Sequence, residues 1–189
     1  RTLAWYGDPA TDELTPDQLA ALDARRRRRN TDVTVLGLDA SVPAIRYATR
    51  AGLIADGWAE NLEDAEPSTA LAGGIADVGM IISTGGFGYV THRTFARLLR
   101  TIRAPEDLWL VIFVLRVFDY TDMITLLADY GLVTERIGDT FRQRRFATAD
   151  ERAAAIHDVR ARGLDPTGKE SDGWYHAECF LSRPATANR

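Results

Sequence analysis

The stretch Val33-Thr34-Val35-Leu36-Gly37-Leu38-Asp39-Ala40-Ser41 constrains the fold more than any other part of the chain. It is a short β-rich apolar run that stops at an acid. Ser41 and Pro43 then open an amphipathic segment, Val42–Ala51. The pattern predicts a strand over Val33–Leu38 followed at once by a helix, with Ile45, Ala48 and Leu53 in its buried stripe and Arg46 and Arg50 outside. In doubly wound α/β folds, ligands sit beyond the carboxyl ends of the strands, where an acid can take both ribose hydroxyls. Asp39 is placed for that role. A plainer reading is that Asp39 only stops the strand and turns the chain. The flanking pattern favours the ribose. Only Gly7 and Gly37 precede Asp39, and neither lies in a glycine-rich loop of the kind that usually accompanies such an acid.

Composition narrows the classes. A chain of 189 residues is long enough for one domain with a substantial core. The formal net charge of −4 gives no global electrostatic case for nucleic-acid binding. Cys179 is the only cysteine, so an intrachain disulfide is excluded and a cysteine-based zinc site is disfavoured; this fits a cytoplasmic protein. The longest apolar run, Leu108–Leu115, is strand-sized and too short to span a bilayer, so no membrane partner is expected. No signal peptide is recognised. The sequence starts at Arg1, which is read as the start of a processed or partial product.

In chain order, Trp5 and Tyr6 precede a Gly-Asp-Pro turn. Thr15, Pro16 and Gln18 predict a capped helix with a Leu14–Leu19 staple, running through Leu22 to Arg25–Arg29. Five consecutive arginines invite a nucleic-acid reading, but cations suit a helix C-terminus and the whole chain is acidic. Gly57–Glu63 reads as a short strand or extended turn, followed by an acidic loop to Pro67 and a short helix near Ser68–Leu71. Val78–Ile82 and Leu108–Leu115 read as strands covered on both faces. Helices are expected after Thr91, over Thr121–Tyr130, and from the Thr148/Glu151 capping box to Arg162. Strands are expected over Leu132–Ile137 and Tyr175–Leu181. Alternating strands and helices point to an α/β fold: a doubly wound, mainly parallel sheet in a single domain over residues 1–189.

Several motifs together resemble the class I S-adenosylmethionine-dependent methyltransferases. They are the acid-ended strand, Glu60-Asn61-Leu62, the strand into Ser83-Thr84-Gly85-Gly86, the buried strand into Arg116, and the late Trp174-Tyr175-His176. More narrowly, Gly85–Thr91, Phe141–Phe146 and Gly168–His176 look like a bacterial, small-molecule branch of that family. The resemblance covers nearly all of the chain, and it rests on order and spacing more than on any single motif. It implies a Rossmann-like sheet with an antiparallel last strand and S-adenosylmethionine as cofactor. Asp39 matches the acid that holds the ribose. Asn61 and Leu62 match the pair flanking adenine. Ser83, Thr84, Gly85 and Gly86 match the loop beneath the methyl donor. The family's first strand and its glycine-rich turn have no match.

Methyl transfer is an in-line displacement at a sulfonium, so the protein mainly aligns donor and acceptor. A base is needed only where the acceptor must lose a proton early. His92, at the start of the helix after the glycine loop, and Tyr175 and His176, opening the last strand, are the candidates. Each histidine has a structural alternative as a hydrogen-bonding residue. Asn61 also suits a turn, the glycines can serve only to bend the backbone, and Trp58 and Trp174 suit a core or pocket wall. His157 is expected to face solvent, and Cys179 to be an inert buried thiol. Phe141–Phe146, three arginines between two phenylalanines, is either a solvated strand edge or a binder of carboxylate or phosphate. Residues 149–173 are a candidate lid.

The leading expectation is a methyltransferase acting on a small-molecule acceptor. Its competitor is a non-catalytic, methyltransferase-like binding or partner subunit. In the family's sheet the first strand lies between those ending at Asp39 and Ser83. A second chain or an N-terminal segment is therefore expected to complete the sheet. Without the glycine-rich loop, cofactor binding by residues 1–189 is expected to be very weak.

Overall fold

The computed structural model describes residues 11, 13–26 and 32–187. The Trp5–Tyr6 turn and the Arg27–Arg29 end of the first helix lie outside the described residues. The chain divides into two compact units, the first ending at Ile75 and the second starting at Ala76.

In the first unit, α1 (Pro16–Arg26) begins at a complete capping box. The Gln18 amide donates to Thr15 Oγ1 at 3.3 Å, and the Thr15 amide donates to Gln18 Oε1 at 2.9 Å. The first strand, β1 (Leu36–Asp39), pairs in parallel with β2 (Asp56–Ala59), joined through α2 (Val42–Arg50). Ser41 caps α2, its Oγ accepting from the Ala44 amide. The Tyr47 hydroxyl donates to Asp23 Oδ2 and Arg50 pairs with Asp17, which ties α2 to α1. The unit closes with α3 (Thr69–Ile75).

In the second unit, β3 (Met80–Thr84), β4 (Trp109–Leu115), β5 (Leu132–Arg145) and β6 (Trp174–Pro184) form one sheet in the order β3-β4-β6-β5. β3 runs parallel to β4. β6 is antiparallel to both β4 and β5, so β5 runs in the same direction as β4. The helices are α4 (His92–Thr101), α5 (Thr121–Asp129) and α6 (Ala149–Ala161). Leu110, Ile112 and Val114, alternate residues of β4, are fully buried, as are Leu99 of α4, Met123 and Leu127 of α5, and Val159 of α6. Burying side chains of this size stabilises by about 1.5–3 kcal/mol each, which makes β4 the spine of this unit.

The fold is therefore mixed α/β, with parallel strands and an antiparallel last strand. Several boundaries differ from expectation. β1 starts at Leu36 rather than Val33, and Val33 and Val35 are exposed. α3 extends through Gly73-Gly74 to Ile75 instead of ending near Leu71. β3 is not covered on both faces: Met80 is 52% and Ile82 64% exposed. It has one neighbour in its sheet, and an apolar run by itself does not distinguish a central strand from an edge strand. β5 continues far past Ile137, across irregularities at Ile137/Phe141 and Arg142/Arg145, and so carries most of the Phe141–Phe146 stretch. Long-range pairing with β6 sustains those residues in a strand that their charge alone does not favour.

Candidate functional site

The second unit gathers its chemistry where β4 ends. Leu115 is in register with Ala177, and the Arg116 amide donates to the His176 carbonyl at 2.9 Å. Because β6 is antiparallel, its opening residues lie level with the carboxyl end of β4. On the other side Arg142 is in register with His176, and Arg145 with Trp174.

His176 is half-buried, and Thr140 Oγ1 lies 3.0 Å from its Nδ1. Burial holds the imidazole below its ordinary 6.5. The nearby cations Arg116, Lys169 and Arg142 act in the same direction, against Asp139. The shift favours the neutral ring, and with Nδ1 facing Thr140, Nε2 has no hydrogen-bond partner among the described residues. Tyr175 is differently held. Its ring lies 4.4 Å from that of Phe146 and carries the Arg144 guanidinium 4.8 Å from its centroid. Desolvation and the neighbouring Glu151 raise its pKa, so it stays a phenol. Glu151 accepts from Arg144 and from the Ala147 amide, both at 2.6 Å, which holds its carboxyl down at about 2. In the expected capping box Thr148 Oγ1 does accept from the Glu151 amide, but the Glu151 carboxylate is drawn to Ala147.

The loop after β3 turns at Gly85, which has φ +72° and whose amide donates to the Phe113 carbonyl at 3.3 Å. A Cβ at Gly85 would meet nothing within 4 Å, so that face of the backbone is open. Ser83 and Gly86 are half-buried and Thr84 is exposed. At Gly88, with φ +114°, a Cβ would fall 2.3 Å from the Phe118 ring, so only glycine fits there. His92 is the exposed first residue of α4, beside the capping Thr91.

In the first unit Asp39 is exposed at the end of β1, and its Oδ1 accepts from the Ser41 amide at 2.7 Å. Asn61 closes a local turn, donating to Asp64 at 2.6 Å and accepting from the Glu63 amide at 3.1 Å. Leu62 is buried. Glu60 binds both the amide and the hydroxyl of Ser68, at 2.9 and 2.6 Å, and so steadies the start of α3.

Two features escaped the sequence reading. Arg116 forms a buried ion pair with Glu170, and its guanidinium also donates to the Asp165 carbonyl. Arg142 and Arg145 both dock on Trp174, which gives that tryptophan a basic partner in space that it lacks in sequence. Cys179 is buried, and burial raises its thiol pKa. His157 is exposed, as expected. Among the described residues no group of histidine, cysteine and carboxylate side chains could hold a metal ion, and no helix is long and apolar enough to cross a membrane. No protein-family model matches the chain, and a search of curated proteins found no match.

Proposed function

We propose that the chain is a class I, Rossmann-like S-adenosylmethionine-dependent methyltransferase acting on a small-molecule acceptor, working in the cytoplasm. The observation that carries this reading is β6, an antiparallel last strand whose first residues bring His176 level with the carboxyl end of the parallel strand β4. The late motif Trp174-Tyr175-His176 shares that strand, while Ser83 and Thr84 end β3, the parallel neighbour of β4, and Gly85 and Gly86 follow it.

The residues fit such a cofactor in part. Asp39 is exposed at a strand end, and the Gly85 backbone is unobstructed. Both ends of Asn61 are taken up locally and Leu62 is buried, so neither offers a free adenine contact. When bound, the cofactor supplies an electrophilic methyl group. In this proposal Asp39, at the end of β1 in the first unit, is the ribose ligand. Within the second unit, Ser83 and Thr84 at the end of β3 and Gly85 and Gly86 after it lend backbone to a ligand. His176 receives the acceptor's proton at Nε2 while Thr140 fixes the ring. Tyr175, clamped by Glu151, Arg144 and Phe146, shapes the wall, and exposed His92 is the outer alternative base.

Calorimetric titration of the full native polypeptide with S-adenosylmethionine tests the reading. Saturable binding is expected, and Asp39→Ala should weaken it roughly tenfold to a hundredfold, as for the loss of charged hydrogen bonds. Absence of binding by the full native polypeptide would overturn it. A second reading, a non-catalytic partner subunit, is favoured by β3, which is an edge strand of its sheet and carries exposed Met80 and Ile82. There a strand from another chain or another segment would complete the sheet, and the same titration would show no cofactor binding.

A further inference from the structure

The arginines of the paired strands β5 and β6 and of the strand end beside them are mostly neutralised. Arg116 pairs with Glu170 at 2.7 Å, Arg136 with Glu178 at 2.8 Å, and Arg144 with Glu151 and Arg183 with Glu135, both at 2.6 Å. Arg142 and Arg145 are the exceptions. Both are exposed, and among the described residues neither forms an ion pair. Both converge on one half-buried indole: Arg142 Cζ lies 4.4 Å from the Trp174 ring centroid and Arg145 Cζ 4.7 Å. Cation–π contact is the attraction that keeps two like charges on the same few ångströms of surface. Neither guanidinium donates a hydrogen bond among the described residues, so their N–H groups remain available to the oxygens of a carboxylate or phosphate.

We propose that Arg142 and Arg145, seated on Trp174, form a binding site for the carboxylate or phosphate group of the ligand that His176 acts on. The site is contiguous with His176, since Arg142 is its partner in register and one of the cations lowering its pKa. A bound anion would thus hold one end of a small molecule while its protic group meets the imidazole. That the ligand is a methyl acceptor rests on the function proposed above; the anion site itself does not.

The test follows the indole N–H resonance of Trp174, assigned by Trp174→Phe, in the full chain without cofactor. Inorganic phosphate and benzoate are titrated separately at ionic strength held constant with chloride. Saturable shifts are expected. The double variant Arg142→Gln/Arg145→Gln should weaken binding about tenfold or more, and the double lysine variant should fall between. The tighter of the two probes identifies the anion. Shifts reproduced by chloride alone, or an unchanged titration in the glutamine variant, would overturn the proposal. If the double variant does not fold, the two single glutamine variants are judged by the same criterion. Failure here with cofactor binding intact rejects only an anionic acceptor. Anion binding without cofactor binding rejects only the methyltransferase.

Discussion

Arg116 and Glu170, 54 residues apart in sequence, meet inside the second unit, Nη1 donating to Oε2 at 2.7 Å with the two side chains 5% and 1% exposed. The other carboxylate oxygen, Glu170 Oε1, is buried and has no hydrogen-bond partner among the described residues. Burial therefore raises the Glu170 pKa despite the guanidinium beside it. The pair braces the loop after α6 against the end of β4, next to His176.

Removing one partner of such a pair strands the other. Arg116→Met should destabilise the chain by about 3–5 kcal/mol in urea unfolding at neutral pH. The sign of the pH dependence follows from the raised pKa. Glu170 takes up its proton more readily folded than unfolded, so its ionisation costs stability as pH rises from the ordinary 4.5 through the raised value. Loss of Arg116 enlarges that cost, so the variant's deficit should shrink on acidification to about pH 4. An equal deficit at both pH values would show that Glu170 is not the stranded charge.

Glu151 works in the opposite sense. Its folded pKa is depressed to about 2 by Arg144 and the Ala147 amide. Its contribution is present above the ordinary 4.5 and is lost as pH falls through about 2. Glu151→Gln should therefore be less stable than the native chain at neutral pH, with the difference closing through that acid window. Thermal unfolding across the range measures it, and a pH-independent difference would discount the carboxylate's charge.

Two adjacent glycines of α3 should respond oppositely to alanine. A Cβ at Gly73 meets nothing within 4 Å, so Gly73→Ala should stabilise by up to about 1 kcal/mol through helix propensity. A Cβ at Gly74 would fall 2.2 Å from Trp58 Cζ2, so Gly74→Ala must displace the indole and should cost about 1–3 kcal/mol. Equilibrium unfolding ranks the two variants; equal effects would mean Trp58 does not seat on the helix.

His176 offers a readout that needs no substrate. Its imidazole, followed by proton NMR, should titrate below 6.5. Arg142→Gln should move the midpoint up and Asp139→Asn should move it further down, since the first removes a repelling cation and the second an attracting anion. A midpoint at or above 6.5 would remove the neutral base from the proposed chemistry.

Local chemistry made much of the fold legible in the sequence. Thr15, Pro16 and Gln18 wrote the start of α1, Ser41 and Pro43 that of α2, and Thr91 and Thr148 those of α4 and α6, because a cap is satisfied within three residues. The apolar run Leu108–Leu115 wrote β4, and the order of alternating strands and helices wrote the α/β class. Tertiary structure decided what depends on distant partners. Whether an apolar run is central or an edge is set by its neighbours, so β3 emerged with Met80 and Ile82 exposed. Whether a charged stretch is loop or strand is set by the strand it meets, so β6 drew β5 out to Arg145. Burial and neighbouring charge, neither written at a residue's own position, set the state of His176, the pairing of Arg116 with Glu170, and the meeting of Arg142 and Arg145 on Trp174.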